Sequence, residues 1–301
     1  MNTPPLSARS PLPGHAAMLL FAALIAGAFS IGKKAAPHID PAALTALRFL
    51  LAAGTIGAAM LALGARVERA HLAAPWRYPV LGALMGTYFV LMFEALKTAA
   101  PVSTSAIFTL IPAMSAGFGW MLMRQRFPPA AQLALAIGAV GALWVIFRAD
   151  LQAFLSLDLG YGETIFFFGC AAHALYTPMI PRLNRGEPVI VFTFGTILGA
   201  LLVIGLYAMP AILATEWRAL PGIVWIAVAY LAIFTTAGTF ALVQFAALRL
   251  PSGKVMAYGY LVPAFVALYE GLQGNGWPAP LVWVGVALIL CALLILLLAP
   301  D

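Results

Sequence analysis

Gly86–Lys97 reads GTYFVLMFEALK, and Gly238–Arg249 reads GTFALVQFAALR. Aligned without gaps, they share Gly86/Gly238, Thr87/Thr239, Phe93/Phe245, Ala95/Ala247 and Leu96/Leu248 at an offset of 152 residues. A looser pair, AFSIGKKAAPHIDPAALTALR at 28–48 and LYTPMIPRLNRGEPVIVFTFG at 175–195, sets Phe29 on Tyr176 and Pro41 on Pro188. Self-similarity at a nearly constant offset marks a duplicated unit. That unit sits in a chain of 301 residues, 63% hydrophobic and 9% charged, where soluble domains have roughly 45–50% and about 25%. So few charges cannot cover a water-facing surface, so the duplicated unit belongs in a bilayer.

A span needs about 20 mainly apolar residues, because only a hydrogen-bonded helix crosses hydrocarbon without bare backbone polar groups. Ten segments qualify: 15–35, 42–63, 77–97, 102–123, 129–148, 161–181, 188–209, 221–247, 253–274 and 279–299. Five spans per half is an odd number, so the second half enters from the opposite face and the repeat is inverted. The expected fold is all-α and polytopic, with ten transmembrane helices in a five-plus-five inverted repeat. Residues 1–150 form the first half and 151–301 the second, within one integral membrane unit.

With the N-terminus inside, the inner loops hold ten Lys and Arg and the outer loops five. This predicts that both termini are cytoplasmic. The net charge of +6 is then loop charge retained on the inner side, and it implies no nucleic-acid partner. Arg9 followed by the apolar run Ala16–Ile31 also has the form of a secretory leader. Because a copy of the adjoining segment lies in mid-chain, the run is expected to be retained. Cys170 and Cys291 both lie in apolar stretches, so no structural disulfide is expected.

A charge inside the bilayer costs about 2.5–3.5 kcal/mol on insertion scales, so Arg48, Glu94, His173 and Glu270 need explanations. Arg48 lies two turns into the second span, and its repeat mate is Gly195. It either binds a substrate carboxylate, or holds a helix terminus or an acidic partner in place. Glu94, His173 and Glu270 are candidates for proton coupling, against readings as an interfacial carboxylate, a packing histidine and a second solvated acid. Gln244, in the second copy's apolar stretch, is a further candidate for substrate binding. Pro112 and Pro263 interrupt spans four and nine at nearly matching places, and Pro178 falls late in span six; each removes a backbone hydrogen bond and is a candidate hinge. Phe29, Tyr88, Phe93 and Phe108 in the first half, and Tyr176, Phe240, Tyr258 and Tyr260 in the second, supply rings that either stack on a substrate or pack the bundle. Gly82-x-x-x-Gly86 and Gly138 with Gly141 are places for close helix approach.

The unit F-x-A-L-[K/R] followed by a mid-helix proline, a Pro-rich break and a Gly-containing helix appears twice. It runs from Phe93–Lys97 through Pro112 and Pro128-Pro129 to Gly138 and Gly141, then from Phe245–Arg249 through Pro263 and Pro278 to Gly285. With Pro41 and Ala46-Leu47-Arg48-Phe49, this resembles the drug/metabolite transporter superfamily, in its ten-span EamA-type exporter branch. The resemblance implies export of small organic metabolites across the bacterial inner membrane by alternating access. Aromatic amino-acid exporters are the comparison suggested by the ring-rich segments. The family commonly ends spans four and nine with Glu, where this chain has Arg124-Gln125-Arg126 and Asn275, so that residue's role does not carry over. The implied partners are a small-molecule substrate and membrane lipid, with a monomer as the plausible assembly and no cofactor or metal. An exporter of drugs or organic cations, and an importer of the same fold, are the alternatives. A membrane-embedded enzyme is the remote one, since HExxH, GxSxG and clustered His/Cys ligands are absent from the sequence.

Overall fold

The computed structural model describes residues 11–124, 128–156, 159–247, 249–250 and 252–298. Among them, helices form ten rods. These are α1 (Leu12–Ala35), α2 (Pro41–Ala62), α3 (Arg77–Thr98), α4 (Pro101–Phe108 continued by Ile111–Met123), α5 (Pro129–Ile146), α6 (Tyr161–Leu183) and α7 (Val189–Tyr207). Then come α8 (Gly222–Ala229, a π-helical Tyr230–Gly238, and Thr239–Ala247), α9 (Ser252–Ala257, a 3-10 turn Tyr258–Leu261, and Val262–Leu272) and α10 (Val282–Leu298). Seven of the ten are long and apolar enough to cross a membrane by that test alone. The others are α6, with Glu163, His173 and Arg182 along it, the broken α9, and the 17-residue α10.

Neighbours follow the duplication. α3 packs along α6 and α7, and its repeat mate α8 packs along α1 and α2. α2 meets α7, α4 meets α9 and α5 meets α10, each a contact between repeat mates. A contact map that maps onto itself when the halves are exchanged is what an inverted repeat with one internal two-fold produces.

Small residues set the closest crossings, because lipid gives no hydrophobic drive to bring helices together. A Cβ on Gly82 of α3 would run into the Ala200 backbone nitrogen, and one on Gly199 of α7 into the Tyr78 backbone. On the other flank a Cβ on Gly141 would stand 2.7 Å from the Gly285 carbonyl oxygen, and one on Gly285 2.8 Å from that of Gly141.

The prolines interrupt the rods as expected in α4 and α9. Pro112 sits second in Ile111–Met123, after turn-type bonds from Thr109 N–H to Ala106 O and Leu110 N–H to Ile107 O, both 3.0 Å. Pro263 sits second in Val262–Leu272, directly after the 3-10 turn. α6, by contrast, runs unbroken through Pro178. Proline leaves the carbonyl four residues back without its amide donor. Here that carbonyl belongs to Ala174, and the Ser115 hydroxyl of α4 donates to it at 2.9 Å.

Candidate functional site

α2 begins abruptly because Asp40 caps it, accepting from the amides of Ala42 at 2.8 Å and Ala43 at 3.1 Å, with Pro41 in the first turn. Seven residues further, about 10 Å along the axis, is Arg48, which is 2% exposed. Its Nη2 donates to the hydroxyls of Thr235 at 3.3 Å and Thr236 at 3.2 Å, and its Cζ lies 3.7 Å from the centre of the Phe89 ring. Nε and Nη1 have no partner among the described residues.

Two consecutive threonines reach one guanidinium because α8 is π-helical there. Neighbouring residues of an α-helix point about 100° apart, whereas a π-helix widens the coil and frees carbonyls from the usual ladder. The Leu231 carbonyl accepts from both hydroxyls, Thr235 at 2.8 Å and Thr236 at 2.9 Å. With their protons committed there, both oxygens turn lone pairs to Arg48.

Arg48 lines a cavity of about 360 Å³. Met85 and Phe89 of α3, Tyr176 and Ile180 of α6, Thr196 and Ala200 of α7, and Thr239 and Phe240 of α8 add walls from both halves. Among the lining residues Arg48 is the one charged side chain. Ile180, Val189 and Val243 carry the lining toward the α6–α7 and α8–α9 loops, so the cavity reaches that face. At the other face the same bundle is closed by Phe29, Phe93, Leu96 and Phe166, all fully buried.

Three of the sequence candidates, Arg48, Tyr176 and Phe240, meet in this cavity. Four others form or join the closure. Phe29 stands edge-on to Phe108 at 5.9 Å and to Phe166 at 6.1 Å, Tyr88 lies 5.7 Å from Phe166 and 4.8 Å from the His173 ring, and Phe93 is packed close to Gly32. Tyr258 and Tyr260 lie on the 3-10 turn of α9. The Tyr258 hydroxyl meets His15 Nδ1 at 2.7 Å, and the Tyr260 ring fills the space over Gly138. The Gln244 side chain lies outside the described residues.

Of the proton-coupling candidates, Glu94 is partly exposed and paired with Lys97 at 2.7 Å. Glu270 is buried; its Oε2 accepts from Asn275 at 3.0 Å, and its Oε1 has no partner among the described residues. Nδ1 of His173 is likewise unpartnered.

Sequence reasoning passed over Thr235, Thr236, Phe89 and an ion pair. Arg77, counted there as a loop charge, pairs with Glu187 at 2.6 Å and also donates to the carbonyls of Leu183 and, at 3.0 Å, Ala74. Glu187-Pro188 is the repeat mate of Asp40-Pro41. Asp40 caps its helix, whereas Glu187, one methylene longer, reaches Arg77, and the α7 N-terminus has no side-chain cap. That mismatch within a matched dipeptide was the available signal.

Ten helical rods thus carry a self-mapping contact pattern and a cavity lined from both halves. The model of the EamA-like transporter family matches residues 12–147 and again 160–298. The chain belongs to the EamA-like transporter family. Each half is thus one EamA-like unit. The uncharacterized transporter YyaM of Bacillus subtilis (strain 168) is 27% identical over 225 residues, covering 73% of this chain and 72% of that protein. A solved crystal structure superposes with a TM-score of 0.65 over 94% of both chains at 23% identity, which speaks to the fold.

Proposed function

We propose that this EamA-like protein exports small organic metabolites, foremost apolar and aromatic amino acids, from the cytoplasm across the bacterial inner membrane. The observation that carries the reading is Arg48. A buried guanidinium is costly unless matched by charge, and the cavity walls offer it hydroxyls and a ring but no carboxylate. A substrate carboxylate supplies the missing charge by accepting from a guanidinium donor that has no partner among the described residues, while Phe49, Phe89, Phe192 and Phe240 receive its apolar body. The same positive lining counts against organic cations as the cargo.

Transport proceeds by alternating access. With both termini cytoplasmic, the cavity faces inward in the state described, and outward opening requires the aromatic closure around Phe29, Tyr88 and Phe166 to part. Pro112 and Pro263 are the hinges we assign to that change, since both follow broken turns in repeat-mated helices. Among the acids, Glu270 is the proton-coupling group we favour, because it is buried with one oxygen unpartnered. The protein acts as a monomer in lipid, and no step calls for enzyme chemistry. Efflux of labelled phenylalanine from loaded proteoliposomes tests the reading: retention of label equal to that of empty-membrane controls, across apolar and aromatic amino acids, overturns it.

A further inference from the structure

The cavity holds a second polar feature besides the guanidinium. Thr196 and Thr239 line it, 4% and 7% exposed, and their hydroxyl protons are already committed. Thr196 Oγ1 donates to the Phe192 carbonyl at 2.9 Å; Thr239 Oγ1 donates to the Thr235 carbonyl at 3.0 Å, with the Thr236 carbonyl at 3.3 Å. A hydroxyl has one proton and two acceptor sites. To a group in the cavity each of these oxygens can therefore offer only acceptor sites, polarised further by the bonds it donates. Arg48 is the reverse, a group with donors only. The cavity lining thus combines a donor pole, Arg48, with an acceptor pole, Thr196 and Thr239.

The spacing of the poles limits what bridges them. Thr239 follows Thr235, an Arg48 partner, by about one turn of α8. An α-amino acid holds its nitrogen about 3 Å from its carboxylate oxygens. With a hydrogen bond of about 2.9 Å at either end, it spans about 9 Å, longer than the single turn of α8 that separates Thr239 from Thr235 beside Arg48. A simple carboxylate of the same body fills the donor pole and leaves buried acceptor oxygens without a donor, which is costly.

We propose that Thr239, together with Thr196, forms the ammonium-binding pole of the site and makes it selective for zwitterionic α-amino acids over the corresponding desamino acids. This rests on the reading that Arg48 takes a substrate carboxylate. The hydroxyls are specificity determinants that touch the substrate, and no formal negative charge is needed in the cavity.

The test compares phenylalanine with 3-phenylpropionate, which keeps the ring and carboxylate and lacks the ammonium. Binding of both to the purified full chain is measured by ligand-induced thermal stabilisation and by competition in proteoliposomes. The wild type should favour phenylalanine by about tenfold or more. Thr239→Val combined with Thr196→Val should collapse that preference toward unity, and Thr239→Ser with Thr196→Ser, which keeps the acceptors, should restore it. Because the readout is a ratio within one variant, a change in folded fraction does not mimic it. Equal affinity of the wild type for both compounds, or a preference untouched by the valine pair, overturns the ammonium pole while leaving the carboxylate reading standing. Failure of both compounds to bind, with other amino acids also inert, overturns the carboxylate reading and this proposal with it.

Discussion

Arg77 Nη2 and Glu187 Oε1 stand 2.6 Å apart, each side chain about 1% exposed, and join the first residue of α3 to the α6–α7 loop. Since α3 already packs along both α6 and α7, the pair fastens helices that belong together instead of closing the cavity mouth. Its cover comes from immediate neighbours at the end of the bundle.

Glu187→Gln should therefore cost stability more than mechanism. Removing one partner of a covered ion pair costs about 3 kcal/mol, because Arg77 keeps its charge without its counter-charge. Unfolding in detergent should show the loss, and transport per folded molecule should change less than twofold.

The same pair makes a pH prediction. Desolvation works to raise the Glu187 carboxyl, but hydrogen bonds from Arg77 and from the Arg185 amide outweigh it and hold the group at about 2, below the ordinary 4.5. A depressed folded value means that the stabilisation is fully present above about pH 4.5 and is lost as pH falls toward 2. The melting-temperature gap between wild type and Glu187→Gln should be constant from pH 7 to 5 and shrink below pH 4.5. A gap that widens in acid contradicts this account.

Gly82→Ala should destabilise the α3–α7 crossing by about 2 kcal/mol, since its Cβ meets backbone and not a side chain that can swing away. Gly54→Ala on α2 is the control, because nothing lies within 4 Å of its Cβ. Comparing the two in detergent unfolding should show a loss only at position 82.

Glu270→Gln should remove the acceleration of efflux by an imposed pH gradient, while Glu94→Gln, whose carboxylate is solvated and bound to Lys97, should keep it. Equal responses in the two variants would leave Glu270 with a packing role.

Most of this architecture was readable from the chain. The ten segments fall within a few residues of the observed rods, because length and apolarity are what the bilayer selects and both are local. Pro112 and Pro263 announced their breaks for the same reason. Pro178 did not break its helix, since the compensating Ser115 hydroxyl comes from another rod. Arg48 stood out by its cost in the membrane, but Thr235 and Thr236 did not: threonine is unremarkable in an apolar helix, and a π-helical turn has no sequence mark. The aromatic residues divided between cavity and closure by which face each turns to its neighbours, and that depends on packing among helices far apart in sequence.

Counterflow of labelled phenylalanine in proteoliposomes, wild type against Arg48→Lys and Arg48→Ala, tests the central assignment most directly. Losing the guanidinium removes a buried charge-assisted contact worth about 3 kcal/mol, roughly a hundredfold in affinity, and lysine should not restore it because its compact ammonium cannot stack on the Phe89 ring and hold the threonines while presenting a further donor to the substrate. The account predicts uptake at least about fifty times weaker in both variants, with folded protein recovered. Wild-type counterflow in a folded Arg48→Ala protein would contradict it.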